Sequence, residues 1–233
     1  ALGAGAVQAG QVGGHIITGD HNTIYLDPET ERLVRARERY LRRLQQQCNV
    51  LPLAAMGGDE GVGEELSLEK VYVALDTATR MPLTEEEKKA RHGREDRPLT
   101  ALEAATRERR LALLGEPGGG KSTFVRQLAA QTAAATLAGK APFPDWETGL
   151  IPVLITLREL APRLAAVELK GLAEAEQETR LREALRAHLT ATLAACRADE
   201  WDACLEDELL AGHLLLILDG LDEVPEHTRE RVR

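Results

Sequence analysis

The sequence predicts an α/β fold: a parallel β-sheet flanked by helices, preceded by a β-hairpin and a helical lead-in. Two aliphatic runs, Ile151 to Leu157 and Leu214 to Leu218, are separated by helical patterns, and neither alternates between apolar and polar residues. Strands of this composition are typical of a parallel sheet that is covered on both faces. A third run, Leu111 to Leu114, precedes a glycine-rich loop and is also predicted to be a buried strand.

The loop after this third run carries a phosphate-binding motif. Gly115, Gly120, Lys121 and Ser122 complete the pattern G-x-x-x-x-G-K-[ST]. Small residues let backbone N–H groups approach an anion, and the helix that follows adds its N-terminal partial positive charge. We expect Lys121 to reach the β- and γ-phosphates of ATP or ADP, and the Ser122 hydroxyl to hold Mg²⁺. The predicted nucleotide-binding residues are Gly115, Glu116, Pro117, Gly118, Gly119, Gly120, Lys121, Ser122 and Thr123.

The composition argues against a partner that is recognised through bulk positive charge. The chain has 233 residues and a formal net charge of −9, which disfavours nucleic acid and anionic membranes. Its three cysteines, Cys48, Cys196 and Cys204, form no C-x-x-C pair and are predicted to be reduced thiols. No apolar run approaches the roughly 18 residues of a membrane span. We therefore expect a cytoplasmic protein.

Two regions are predicted before the phosphate-binding domain. Residues 1–28 are rich in glycine, and β-forming residues on both sides of a Gly-Asp-His-Asn turn predict a β-hairpin. Residues 29–97 form a lead-in with a charged linker. Within it, Glu29 to Cys48 has the apolar stripe of an amphipathic helix, and Leu68 to Leu75 alternates like a strand.

The phosphate-binding domain is predicted to occupy residues 98–233. It opens on a helix from Pro98 to Arg109, which leads directly into the strand before the loop. The helix after the loop, which starts at about Lys121, is predicted to continue through Phe124 to Leu137, and further helices are predicted at Glu174 to Cys196 and at Trp201 to Leu210.

An acidic cluster follows the last aliphatic run. Asp219 comes directly after the run, and Asp222 and Glu223 follow within one turn. Parallel strands bring their carboxyl ends to one edge of the sheet, so Asp219 is expected near Ser122, holding Mg²⁺ through a water molecule. Either Asp222 or Glu223 is expected to orient or deprotonate the attacking water, and the sequence leaves the choice between them open.

These motifs resemble those of a known family. The segment L-L-L-I-L-D-G-L-D-E-V resembles the modified Walker B motif of NACHT NTPases, in which a small residue follows the metal-binding aspartate and two acids lie beyond it. G-E-P-G-G-G-K-S-T and I-P-V-L-I-T-L-R-E-L resemble the phosphate loop and second strand of that family. The resemblance covers about residues 98–233 and implies a STAND-type switch. In such a switch ADP holds a closed monomer, and exchange for ATP permits homo-oligomerisation in bacterial signalling or defence.

The resemblance also implies neighbours for each strand. It places the strand from Ile151 beside the Walker B strand, and it inserts a further strand between the Walker B strand and the phosphate-loop strand. The family continues with that strand, which ends in a sensor arginine, and with a winged-helix region. Neither follows within residues 98–233. We therefore expect an incomplete sheet, completed by additional C-terminal domains of the same protein or by another chain.

Two other functions are compatible with the motifs. A small-molecule P-loop kinase uses the same loop, but it also needs an acceptor site and usually a mobile arginine-rich lid, and no such segment is evident. A nucleotide-bound scaffold without turnover would keep ATP or ADP as a structural cofactor. Nucleotide identity and phosphate release distinguish these functions from a switch.

Overall fold

The computed structural model describes residues 27–49, 75–82 and 96–229. The hairpin predicted within residues 1–28, most of the strand predicted at Leu68 to Leu75 and most of the charged linker lie outside these ranges. The helices are α1 (Pro28–Asn49), α2 (Ala101–Arg107), α3 (Lys121–Leu137), α4 (Leu157–Ala165), α5 (Glu174–Ala195), α6 (Leu205–Leu210) and α7 (Glu226–Arg229). The strands are β1 (Asp76–Pro82), β2 (Asp96–Thr100), β3 (Ile151–Thr156) and β4 (Leu214–Asp219), and short 3-10 helices span Asp199–Cys204 and Leu221–Glu223.

β3 and β4 form a short parallel sheet, as the two aliphatic runs predicted. The register pairs Ile151 with Leu214 and Thr156 with Asp219, so the two strands end side by side. Both strands are aliphatic, and β3 also has the β-branched residues Ile151, Val153 and Ile155, which pack well on a pleated surface. Helices flank the pair, which confirms a mixed α/β domain with a parallel sheet. This register brings Asp219 to the carboxyl edge of the sheet.

The strand predicted at Leu111 to Leu114 is wrong. Residues 108–116 have no helix or strand, and the side chain of Leu114 is 89% exposed. Leu111 is also exposed. A strand needs a neighbour for its backbone N–H and C=O groups, and no strand in the described part of the chain pairs with this run. Aliphatic composition alone therefore does not make it a strand.

The lead-in helix α1 shares a core with the P-loop domain. Its buried stripe, which includes Tyr40, Leu41 and Leu44, packs against α3 as the helical periodicity predicted. The Tyr40 hydroxyl donates a hydrogen bond of 3.0 Å to the backbone oxygen of Pro152 in β3. The Tyr40 ring also stacks on Trp201, with 5.6 Å between the ring centroids. α1 is thereby fixed to β3 and to the segment before α6.

The segment that precedes the phosphate loop differs from its prediction. Pro98 belongs to β2, which pairs with β1 as an antiparallel hairpin, so the helix α2 begins at Ala101 rather than at Pro98. Thr100 caps α2 in a capping box with Glu103, in which each side chain bonds to the backbone N–H of the other. Hydrogen bonds from Arg97 lower the pKa of Glu103 to about 2. An ion-paired cap therefore defines where this helix begins.

Three further helical segments complete the domain. α4 buries Leu157, Leu160 and Leu164 against β3, although no helix was predicted there and Leu157 was assigned to the strand. α5 confirms the predicted long helix. The helix predicted from Trp201 to Leu210 begins as a 3-10 turn and becomes α-helical only at Leu205.

The cysteines and the helices agree with the composition. Cys48, Cys196 and Cys204 are free, and burial raises the pKa of Cys48 to about 11, which keeps this thiol protonated at neutral pH. None of the helices in the described ranges combines the length and the apolar character that crossing a bilayer requires.

Candidate functional site

The phosphate loop curls at the N-terminus of α3. Gly120 precedes the helix with a φ of 83°, a left-handed conformation that glycine adopts without strain. A Cβ atom on Gly119 would lie 3.0 Å from the backbone oxygen of Glu116, so a side chain there would force the loop to shift. The sequence therefore needs glycine at these positions, and the backbone N–H groups at the start of α3 are left available to an anion.

Lys121 reaches back over the loop. Its ammonium group donates hydrogen bonds to the backbone oxygens of Gly115 and Glu116, at 2.7 and 2.8 Å. These carbonyls lie at the start of the loop, so the charge is held above the loop rather than extended into solvent. An ammonium group has three donors, and phosphate oxygens are stronger acceptors than neutral carbonyls. The lysine is therefore placed where it can bind a phosphate group.

The structure brings Ser122 and Asp219 together. The Ser122 hydroxyl donates a hydrogen bond of 2.9 Å to Oδ1 of Asp219, across 97 residues of sequence. Ser122 lies in the first turn of α3, and Asp219 is the last residue of β4. This is the juxtaposition that the parallel sheet predicted.

A hydroxyl and a carboxylate are suitable ligands for Mg²⁺. Mg²⁺ prefers hard oxygen ligands, and it commonly takes one or two from the protein and the rest from water and phosphate. Within residues 27–49, 75–82 and 96–229, no group of three or more His, Cys, Asp or Glu side chains is placed to hold a metal. The Ser122 hydroxyl and the Asp219 carboxylate supply two oxygen ligands of the kind that Mg²⁺ takes from a protein.

The two acids after β4 occupy different positions. Gly220 turns the chain with a φ of 82°, and the 3-10 helix Leu221–Glu223 follows. The Glu223 side chain folds back over this turn, since a Cβ on Gly220 would lie 3.6 to 3.8 Å from its side-chain atoms. Asp222 is exposed, and its backbone oxygen accepts a hydrogen bond from Arg229. The carboxylate of Glu223 is thus the one held near the end of β4.

Arg158 is a residue of this site to which the sequence analysis gave no role. It lies in the first turn of α4, directly after β3, and its guanidinium is 3.6 Å from Oε2 of Glu223. The Arg158 side chain is 71% exposed, so this pair adds little to stability. The Arg158 guanidinium is thus a positive charge beside the Glu223 carboxylate. The signal was present, because Leu157, Leu160, Ala161 and Leu164 have helical spacing and put Arg158 at the end of a strand.

The remaining residues of the predicted site line the loop without side-chain contacts that fix a role. Pro117, Gly118 and Thr123 are exposed, and Gly118 has a φ of 77°. The loop therefore offers mainly its backbone, whereas Lys121 and Ser122 provide the side chains.

Comparison with known proteins identifies the family. The model of the AAA ATPase domain family matches residues 93–233, more than half of the chain. The match includes the phosphate loop, both parallel strands and the acidic cluster. Neither the curated proteins nor the solved structures gave a significant match. On the family match, which agrees with the geometry of the loop and the strand pair, the chain belongs to the AAA ATPase domain family, whose members bind and hydrolyse nucleotides.

Proposed function

We propose that this chain is the nucleotide-binding part of a STAND-type switch of the NACHT subfamily, which binds ATP, hydrolyses it slowly and oligomerises when activated. The observation that carries the proposal is the contact between Ser122 and Asp219. This contact brings the phosphate loop next to Asp219 at the end of β4. Phosphate binding and hydrolysis require both parts at one place.

Binding would begin at the loop. The backbone N–H groups of Gly118, Gly120, Lys121 and Ser122 would contact the phosphates, whereas the N–H of Gly119 already donates to the backbone oxygen of Glu116. Lys121 would exchange its two carbonyl partners for phosphate oxygens. Ser122 and Asp219 would hold Mg²⁺, which neutralises charge on the phosphates when it is bound. Because the ammonium group already lies over the loop, it would exchange these partners without leaving the site.

Glu223 is the proposed general base. Its carboxylate would accept a proton from the attacking water, and Asp222 is the alternative because it is adjacent. The Arg158 guanidinium lies 3.6 Å from the Glu223 carboxylate and would pair with it in the resting state. Glu223 would have to separate from Arg158 before it could accept a proton, and this requirement is consistent with slow ATP hydrolysis. The same contact favours, as a second candidate, a scaffold that retains nucleotide without hydrolysing it.

Phosphate release by three variants tests the catalytic assignment. Glu223→Gln should bind ATP as the wild type does and should hydrolyse it about 10²-fold more slowly or worse, since that is the contribution of a positioned base. Arg158→Ala should raise the rate several-fold, because the carboxylate is released. Asp222→Asn is the matched control and should keep the wild-type rate.

The pattern of rates decides between the candidates. Wild-type hydrolysis in both Glu223→Gln and Asp222→Asn would contradict the assignment of a base at this site. A wild-type chain that retains ATP with no phosphate release would favour the scaffold. Light scattering of the same samples, with ATP and with ADP, tests the switch, which requires a larger mass with ATP.

A further inference from the structure

A cleft that the nucleotide site does not use lies between α1, α3 and the loop after α3. It has a volume of about 390 Å³, within the usual range for small-molecule sites. Its α3 side is formed by one face of the helix, from Gln127 to Ala134. Gln127, the lining residue of α3 nearest to the phosphate loop, is six residues beyond Lys121, which is about 9 Å along the helix axis. The cleft is therefore separate from the phosphate loop, although the same helix carries both.

One buried polar group in the cleft has no partner. Gln127 lines the cleft with only 4% of its surface exposed, and its Oε1 atom accepts no hydrogen bond from any described residue. Buried side-chain amides are normally hydrogen-bonded, because their desolvation is otherwise uncompensated. The last torsion of glutamine is soft, so the amide can turn toward a donor in the cleft.

The rest of the lining defines the chemistry of a ligand. Gln45, Asn49 and Gln131 add three further amides, and none of the described residues that line the cleft is ionisable. Phe143 provides a flat apolar wall, and Trp146 packs edge-on against its ring with 5.2 Å between the centroids. The Trp146 indole is in turn hydrogen-bonded to Thr106 at 3.1 Å, which fixes this wall. The cleft thus offers neutral donors and acceptors beside an aromatic face.

We propose that this cleft binds an uncharged purine nucleoside or nucleobase. Glutamine amides pair with the adjacent donor and acceptor on the edge of a purine, and an aromatic ring stacks on its face. The purine would supply the N–H group that the Gln127 oxygen lacks. A phosphorylated ligand would find no cation among the described residues of the lining. The proposal does not depend on hydrolysis at the phosphate loop.

Calorimetric titration of the chain with adenosine, guanosine and uridine tests this proposal. The wild type should bind at least one of the two purine nucleosides, and more tightly than uridine. Gln127→Leu has a similar volume and lacks the amide, so it should weaken binding at least tenfold. Gln46→Leu, which changes an exposed glutamine of α1, is the matched control and should bind as the wild type does.

Lys121→Ala separates the cleft from the phosphate loop. Nucleoside affinity should stay within about threefold of the wild type in this variant. Binding that is lost in Lys121→Ala and kept in Gln127→Leu would place the nucleoside in the nucleotide site and overturn the proposal. Absence of binding at millimolar nucleoside to a wild-type chain with a cooperative melting transition would overturn it as well, with Gln127 then satisfied by water.

Discussion

β3 and β4 are paired strands of similar composition, but only one of them is covered on both faces. Val153 and Ile155 of β3 are buried beneath α4. Their partners in the register, Leu216 and Leu218 of β4, lie on the same face and are half exposed, at 50% and 56%. The difference arises because α4 follows β3 directly and packs back on it, whereas no described helix covers that face of β4.

The segment before the phosphate loop extends this comparison. Leu111 to Leu114 is as aliphatic as β4, yet no strand among the described residues pairs with it, and only Leu113 packs against the core. Burial therefore decreases from β3 to β4 and again to this run, which forms no strand. The strand character of an aliphatic run depends on what lies beside it, as expected when backbone groups must be paired and apolar surface buried.

The largest expected loss of stability is in the buried core between α1 and the 3-10 helix Asp199–Cys204. Trp201→Ala removes a side chain that is 2% exposed and stacked on Tyr40, and it should lower the free energy of unfolding by about 3–5 kcal/mol. Leu114→Ala, which changes an exposed side chain before the phosphate loop, should change the free energy of unfolding by no more than about 0.5 kcal/mol. Urea unfolding followed by circular dichroism measures both. Comparable losses of stability in the two variants would mean that Leu111 to Leu114 is packed in solution.

A smaller effect is expected at the junction of β2 and α2, where polar contacts replace apolar burial. Glu103→Gln should lower the free energy of unfolding at neutral pH by about 1 kcal/mol, because it weakens the cap and the contact with Arg97. The pKa of Glu103 is lower in the folded chain than its ordinary value of 4.5. Its stabilisation is therefore present above pH 4.5 and is lost as the pH falls from there toward the folded pKa of about 2.

Unfolding of both chains across this pH range checks the prediction. The variant should lose less stability on acidification than the wild type, so that the two curves converge at low pH. Glu147→Gln, in the exposed loop before β3, is the matched control and should follow the wild type. Parallel curves for Glu103→Gln and the wild type would show that the ion-paired cap contributes nothing.

The sequence was sufficient for the features that depend on local geometry. The loop motif predicted where α3 begins, and the parallel pairing predicted that Ser122 and Asp219 would meet. The helical spacing of its leucines also indicates α4, but the predicted strand was extended over Leu157, which is the first residue of that helix. The failure at Leu111 to Leu114 has another cause, since strand formation depends on partners that are distant in sequence.

Contacts between elements that are distant in the sequence could not be predicted from it either. Arg158 comes close to Glu223 because α4 turns back at the edge of the sheet. The motif I-P-V-L-I-T-L-R-E-L includes this arginine but does not indicate the turn. The unpartnered oxygen of Gln127 depends on how α1, α3 and the loop at Phe143 meet. A glutamine inside a helical pattern gives no sign of it.

The central claim is that Asp219 and Ser122 together hold the metal of a bound nucleotide. Calorimetric titration with ATP, with and without Mg²⁺, tests it in the wild type and in Asp219→Asn, with Asp222→Asn as the matched control. We predict that Mg²⁺ tightens ATP binding by about tenfold or more in the wild type and in the control, and that Asp219→Asn loses this gain while its metal-free affinity is unchanged. An equal gain from Mg²⁺ in Asp219→Asn and the wild type would contradict the account.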